Sequence, residues 1–372
     1  MFFTKIINQF PWVLLPLQLL FGIVMSIFIH PGLIYLSHLK KLNVVPGGRS
    51  AHTVSTSILG GVGIFFVFFI TTITTFLAYG YIESPLLFLA LIMALFIMFV
   101  IGLKDDILGI SPSKKVVAQL IVVVIFLLVS DNLVDSFGTL LGVEVLPIWV
   151  GWLFTLFVYI LGVNAYNLID GVDGLAGGVA TVAILYFGMS FVLMGDYEWA
   201  FVSFGALGAI FGFLRFNLSH KRRIFMGDNG SMFIGFLLVS LSLHYLYSPE
   251  SKSGVLLGHD IISVLALFSY PLLDVVRVFL IRVKNGRSPF HADKNHLHHF
   301  LLELGLSHGQ ITAVVVVYTL FMVLLGDSMA TINVHVSLAV NLLIAVIVAL
   351  VPSVLHRNTN RIIVRLPWVN SR

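Results

Sequence analysis

The chain has 372 residues, 59% of them hydrophobic and only 10% charged, with a net charge of +4 and a mean hydropathy of +1.04. These values exclude an ordinary water-soluble domain and point to a polytopic membrane protein. The absence of cysteine excludes a disulfide framework and a thiolate metal site, and no soluble basic domain offers itself to nucleic acid.

A spanning helix needs about 20 predominantly apolar residues. The first such stretch covers 12–36; it follows a single Lys5 and lacks a small-residue cleavage pattern, so it is expected to stay as the first span. Further stretches cover 57–79, 85–103, 115–130, 148–167, 175–194, 198–216, 230–247, 260–282, 310–328 and 334–354. The predicted fold class is all-α: a polytopic membrane helix bundle of about eleven transmembrane helices. No repeat of solenoid length and no low-complexity linker divides it, so 1–372 reads as one membrane domain.

Cytoplasmic loops carry the Lys and Arg excess. Here the basic residues fall in alternate loops: Lys40, Lys41, Arg49; Lys104, Lys114, Lys115; Arg215, Lys221, Arg222, Arg223; Arg277, Arg282, Lys284, Arg287, Lys294; and a tail with Arg357, Arg361, Arg365 and Arg372. Only Lys5 and Lys252 stand apart. The amino terminus is therefore expected outside and the carboxyl terminus in the cytoplasm, which demands an odd number of spans. The positive charge then serves orientation and contact with the lipid bilayer's anionic headgroups rather than nucleic acid.

The acids divide the other way. Glu83, Asp131, Asp135, Glu144, Asp196, Glu198, Glu250, Asp260 and Asp327 belong to outside loops, where solvated charge accounts for them. Asp105, Asp106, Asp170, Asp173 and Asp228 sit at cytoplasmic span ends. Charged groups are costly in lipid, so this distribution reads as one shared site assembled from distant loops.

Taken in order, Gly102-Leu-Lys-Asp-Asp-Ile-Leu-Gly-Ile-Ser-Pro-Ser-Lys-Lys115 carries an adjacent carboxylate pair. Such a pair is tolerated when a divalent cation or a shared proton relieves the repulsion. Lys115 opens the next helix, where it either meets a phosphate or serves as a positive-inside anchor. The run Asn164-Ala-Tyr-Asn-Leu-Ile-Asp-Gly-Val-Asp-Gly174 spaces Asn167, Asp170 and Asp173 by three, which puts them on one face while the helix lasts. The helix is expected to end near Asp170, with Asp173 capping the following span.

In Lys221-Arg-Arg-Ile-Phe-Met-Gly-Asp-Asn-Gly230, Asp228 is placed to hold Mg2+ together with substrate phosphates. Phe225 either stacks on a base or anchors the interface. In Arg287-Ser-Pro-Phe-His-Ala-Asp-Lys-Asn-His-Leu-His-His299, Leu297, Phe300, Leu301 and Leu304 follow helical spacing and Gly305 supplies a stop. A short amphipathic surface helix is expected, with His296, His299 and Glu303 toward the site or water and His298 at the border. Asp274, the deeper carboxylate, is expected to pair with Arg277 one turn on.

Together, the Asp105–Asp106 pair with Lys115, the Asn164–Gly174 run, Phe225-Met-Gly-Asp228 and the His291-x-x-x-x-His-x-His-His299 pattern resemble one family in order and in loops. It is that of the polyprenyl-phosphate N-acetylhexosamine-1-phosphate transferases (glycosyltransferase family 4), in its WecA- and TagO-like branch, and the resemblance covers roughly 30–310. It implies a cytoplasm-facing cleft in the bacterial inner membrane, where undecaprenyl phosphate displaces UMP from a UDP-N-acetyl sugar to start a cell-surface polysaccharide. It implies Mg2+, with Mn2+ as a substitute, held by Asp228 and Asp106. Catalytic roles fall to Asp105, Asp106, Asp170 and Asp173, and substrate contacts to Lys115, Asn164, Asn167, Phe225, His291, Lys294, His296, His298 and His299.

Departures from the family pattern lie around Arg49 and His52 and at Lys294, where Arg is common, and Ser57-Ile-Leu-Gly-Gly61 differs from the muramoyl-pentapeptide branch of the family. The last of these, with no triple-histidine run, favours UDP-GlcNAc over a peptide-bearing donor. A homodimer is compatible with this reading. The rival class is a proton-coupled transporter, which would place its acids near the bilayer midplane in broken, repeated helices. A zinc hydrolase using the histidines is the third, although the His-Glu-x-x-His signature is missing.

Overall fold

A computed structural model describes residues 10–44, 56–80, 82–130, 132–137, 142, 145–247, 257–286 and 296–365. Arg49, His52, Arg287, His291 and Lys294 lie outside the described residues.

The described residues form α1 (Leu14–Lys40), α2 (Gly60–Tyr79), α3 (Pro85–Leu108), α4 (Pro112–Ser130), α5 (Ile148–Leu168), α6 (Leu175–Met194) and α7 (Tyr197–Asn217). They continue with α8 (Gly227–Tyr247), α9 (Leu257–Leu267), α10 (Ser269–Lys284), α11 (Leu297–Glu303), α12 (His308–Ser328) and α13 (Val334–Arg365). Among them ten helices are long and apolar enough to cross a membrane, and α9 with α10 add an eleventh if the bent pair is one span. An all-α polytopic membrane bundle is what the hydropathy pattern predicts.

The continuous span expected over 260–282 is in fact broken, with a bend of 65° between α9 and α10. Pro271 is the cause. It has no N–H to offer the Leu267 carbonyl and its ring crowds that carbonyl, so the helix restarts at Ser269.

The helix α8 is the axis of the bundle, buried at every residue from Asn229 to Tyr247. Apolar and small on all sides, it has no lipid-facing stripe, and α2, α3, α5 and α6 surround it. The helix α7 is wedged among α1, α2 and α6, while α12 and α13 close the far side against α9, α10 and α11. Phe65 stacks on Phe99 at 4.4 Å and meets Phe233 edge-on at 5.6 Å, which locks α2, α3 and α8 together.

Two close approaches fix the register of α8. A Cβ at Gly61 would collide with Asn229 and the Gly230 backbone, and one at Gly102 would strike the Asp228 and Asn229 backbone. Small residues let helices in lipid approach this closely. The segment entering α8 is also held: Ile224 lies parallel to Ser57, Phe225 N–H donates to the Ser57 carbonyl at 2.8 Å, and Gly60 and Gly61 donate to the Phe225 and Met226 carbonyls. Ser57 and Thr56 in turn pair with Asn43 and Val44 in a two-residue antiparallel ladder. The first turn of α8 is thereby clamped against the end of α3.

Candidate active site

At one end of the bundle the last turn of α3, the first of α4, the last of α5 and the first of α8 converge. Lys115 is buried there, with Nζ 2.8 Å from Asp105 Oδ2 and 2.7 Å from Asp228 Oδ2. Asn167 Nδ2 donates to Asp228 Oδ1 at 2.6 Å and to Ser231 Oγ at 2.7 Å. Ile110 N–H donates to Asp105 Oδ1 at 2.7 Å, which folds the chain back after α3 and sets the carboxylate toward Lys115.

Asp106 points elsewhere. Its oxygens accept from the backbone N–H of Asp228 and Asn229, both at 2.9 Å, and from Asn229 Nδ2 at 2.5 Å. A helix start leaves such amides without internal partners and carries partial positive charge, so a carboxylate from α3 caps α8. Both Asp106 oxygens thus hold the helix that presents Asp228.

The turn after α5 brings Asp170 to the same place, where it faces the Gly227 amide and the Asp228, Asp106 and Asp173 carboxylates. Burial first, then those neighbouring carboxylates, push its pKa well above the ordinary range. Asn164 lies one turn deeper on α5 and donates to Gln119 Oε1 at 2.8 Å, forming a polar layer beneath Lys115.

Asp173 does not cap α6. The cap position is Gly174, at φ +80°, whose N–H donates to Asn217 Oδ1; a left-handed backbone there suits glycine. The Asp173 carboxylate turns to Arg223, 3.4 Å away, and its backbone N–H donates to His308 Nδ1 at 3.1 Å, which ties the loop to the segment before α8 and to α12. Phe225, partly buried, occupies the segment pinned to Ser57 and Gly60.

Of the histidines, His296 opens α11 and bonds through Nδ1 to Asp274 Oδ2 at 2.7 Å. Asp274 thus pairs with His296 and not with Arg277, whose guanidinium lies 4.6 Å from the centre of the Phe300 ring. The short helix forms as expected over Leu297–Glu303, but its inward face differs. His298 is buried, while His299 remains partly exposed. Burial lowers the His298 pKa to about 3, so its imidazole is neutral at physiological pH.

The sequence pattern did not single out Asn229, Ser231, Arg223, Asn217 or His308. Asn229 and Ser231 were accessible as polar residues opening an apolar helix. His308 carried no signal, since its partner Asp173 is 135 residues away in the chain.

Among the described residues no three His, Asp or Glu form a metal cage. Mg2+ held with substrate phosphates needs only one or two carboxylates and keeps several waters. Asp228, with Asp170 facing it, offers that oxygen-only set, so the residues fit the ion. At the opposite end of the bundle Asp196 caps α7 and pairs with His244 at 2.7 Å, and Asp327 accepts from Ser263 and Tyr186. Those acids are hydrogen-bonded partners rather than merely solvated charges.

Residues 88–246 match the family described as "Glycosyl transferase family 4". The chain is 31% identical over 277 residues to a Bacillus subtilis (strain 168) protein named probable undecaprenyl-phosphate N-acetylglucosaminyl 1-phosphate transferase, covering 73% of this chain and 72% of that one. It is 29% identical over 281 residues to the undecaprenyl-phosphate alpha-N-acetylglucosaminyl 1-phosphate transferase of Escherichia coli O157:H7, with 73% and 72% covered. A Salmonella typhi protein of the latter name is 29% identical over 269 residues, with 71% and 70% covered.

Proposed function

The chain belongs to glycosyl transferase family 4, and on that premise we propose that it transfers N-acetylglucosamine 1-phosphate from UDP-GlcNAc to undecaprenyl phosphate. An oxygen of the lipid phosphate attacks the sugar-bearing phosphorus, the bond to the UMP phosphate breaks, and UMP leaves. The product is a lipid-linked sugar pyrophosphate, the first intermediate of a cell-surface polysaccharide. The observation that carries this reading is the Lys115 ammonium held between Asp105 and Asp228, with Asn167 and Asp170 around it.

Two phosphates that must meet repel each other, so positive charge at the reacting phosphorus is where stabilisation matters most. Asp228 and Asp170 would hold Mg2+, which supplies that charge to the pyrophosphate when bound; Mn2+ shares the oxygen preference. Lys115 keeps the Asp105 and Asp228 carboxylates apart and oriented, and Asn167 fixes the second oxygen of Asp228. Asp105 would take a proton from the acceptor phosphate. Asp106 and Gly102 act through the placement of α8.

An apolar groove of about 400 Å3 runs along α5, α8 and the α9–α10 break, lined by Phe154, Phe157, Leu161, Val239, Leu265 and Phe268. It suits a prenyl chain lying in the bilayer. The acid cluster shares its end of the bundle with the basic loops, which supports a cytoplasm-facing site in the bacterial inner membrane.

The test is UMP release by purified protein given undecaprenyl phosphate, Mg2+ and a panel of UDP-sugars. UDP-GlcNAc is expected to be turned over fastest. No UMP with any donor would refute the transferase reading, and faster turnover of another UDP-sugar would refute the donor assignment.

A further inference from the structure

Asp274 is fully buried in α10, just past the break at Phe268, with 0% of its surface exposed. A buried carboxylate is costly unless both oxygens are satisfied. Here Oδ2 accepts from His296 Nδ1 at 2.7 Å and Oδ1 accepts from Leu297 N–H at 2.7 Å. His296 is the residue before α11 and its own side chain does not cap that helix. The helix start is therefore held from outside, by a side chain 22 and 23 residues earlier in the chain.

The next links lead toward the acid cluster. The His296 and His298 rings lie parallel, 9° apart in plane and 5.5 Å between centres. His298 is 2% exposed, and its Nδ1 finds no hydrogen-bond partner among the described residues. Its Nε2 lies 2.7 Å from where a Cβ at Gly171 would stand, so the imidazole occupies the space that this glycine leaves open beside Asp170.

We propose that Asp274 is a positioning residue: through His296 and the first amide of α11 it holds the His298 imidazole against the Asp170–Gly171 turn, at the edge of the Asp228–Lys115 cluster. The assignment rests on the transferase reading above. His298 is then the imidazole that backs the Asp170–Gly171 turn, and His296 is part of its mounting. A displacement of about 1 Å in such a group is enough to cost about 10²-fold in rate. The break at Pro271 belongs to the same device, because it is α10, turned by 65°, that carries Asp274 to α11.

The experiment compares Asp274→Asn, His298→Gln and the double variant with wild type for UMP release, with melting of the detergent-solubilised protein followed alongside. Asp274→Asn is expected to lower kcat at least about tenfold with donor KM within about twofold, and the double variant to be no slower than the worse single one. Unchanged kcat, or losses that multiply in the double variant, would overturn the proposal.

Should Asp274→Asn fail to fold, His296 decides. His296→Asn retains a donor near the Nδ1 position and is expected to keep several-fold more turnover than His296→Leu. Equal loss in both would mean that His296 itself contacts substrate, and the proposal would fall. Wild-type turnover in the same assay separates these outcomes from failure of the transferase reading.

Discussion

Lys115 stands between Asp105 and Asp228, its ammonium within 2.8 Å of one carboxylate and 2.7 Å of the other. Removing one partner from such a cluster leaves like charges facing each other in a poorly solvated place. Lys115→Met is therefore expected to abolish turnover and to lower the melting temperature of metal-free protein. Mg2+ should restore more of the lost stability in this variant than it adds to wild type, because a cation between the same oxygens replaces the missing charge. Equal Mg2+ shifts in the two proteins would contradict this arrangement.

Asp228→Asn keeps the shape of the side chain and removes the charge proposed to hold Mg2+. Turnover should fall by about 10²-fold or more, with a raised Mg2+ requirement for whatever remains. The check is UMP release across a Mg2+ titration, and wild-type rates at low Mg2+ would defeat the metal assignment.

Asp106 accepts from the first amides of α8, so its loss should show in the backbone. Asp106→Ala is expected to cost about 1–2 kcal/mol of local stability and to speed hydrogen exchange at Asp228 and Asn229. Asp106→Asn, which keeps an acceptor, should speed exchange less. Exchange unaltered in both variants would show that the capping bonds carry no weight.

Gly102→Ala places a methyl group against the Asp228 and Asn229 backbone, where neither helix can yield without moving the site. Overpacking of this kind costs about 1–3 kcal/mol, and turnover should fall at least about tenfold. Gly32→Ala on α1, where a Cβ meets nothing within 4 Å, is the control and should match wild type. Equal behaviour of the two variants would refute the close approach of α3 and α8.

His298 gives a pH signature. Its folded-state pKa is lowered to about 3, whereas in an unfolded chain it titrates near about 6.5. Between those values the unfolded state binds the extra proton, so the stability that His298 contributes rises with pH across the window and is lost on acidification. Wild type is expected to lose several degrees more of melting temperature than His298→Gln on going from pH 7.5 to pH 5. Parallel losses would show that the imidazole is not buried as described.

The spans and the motif runs were legible because they are local. Hydropathy sums along the chain, and a carboxylate at the end of an apolar stretch is conspicuous wherever the chain later goes. Asp105, Asp170 and Asp228 stand at span ends for that reason, and the structure brings them together. Within that site, Asp173 was expected to cap a helix; it is drawn away by Arg223 and His308, partners contributed by other loops. The ranking of the histidines was equally hidden, because helical spacing relates His296, His298 and His299 to one another but says nothing of how the helix is rotated against Gly171. The break at Phe268 did have a local cause in Pro271, although its consequence, Asp274 meeting His296, did not.

Sequence alone determined that this chain is a multi-pass helical membrane protein whose polar chemistry is gathered in four runs with the family's order, since composition, period and motif spacing are properties of contiguous residues. The tertiary structure decided what each polar atom faces: Asp106 the amides of α8, Asp228 and Asp105 a shared lysine, His298 a glycine turn. Those choices depend on the rotation and depth of helices set by contacts such as Gly61 on Gly230 and Gly102 on Asp228, between segments more than a hundred residues apart, and no local pattern encodes them.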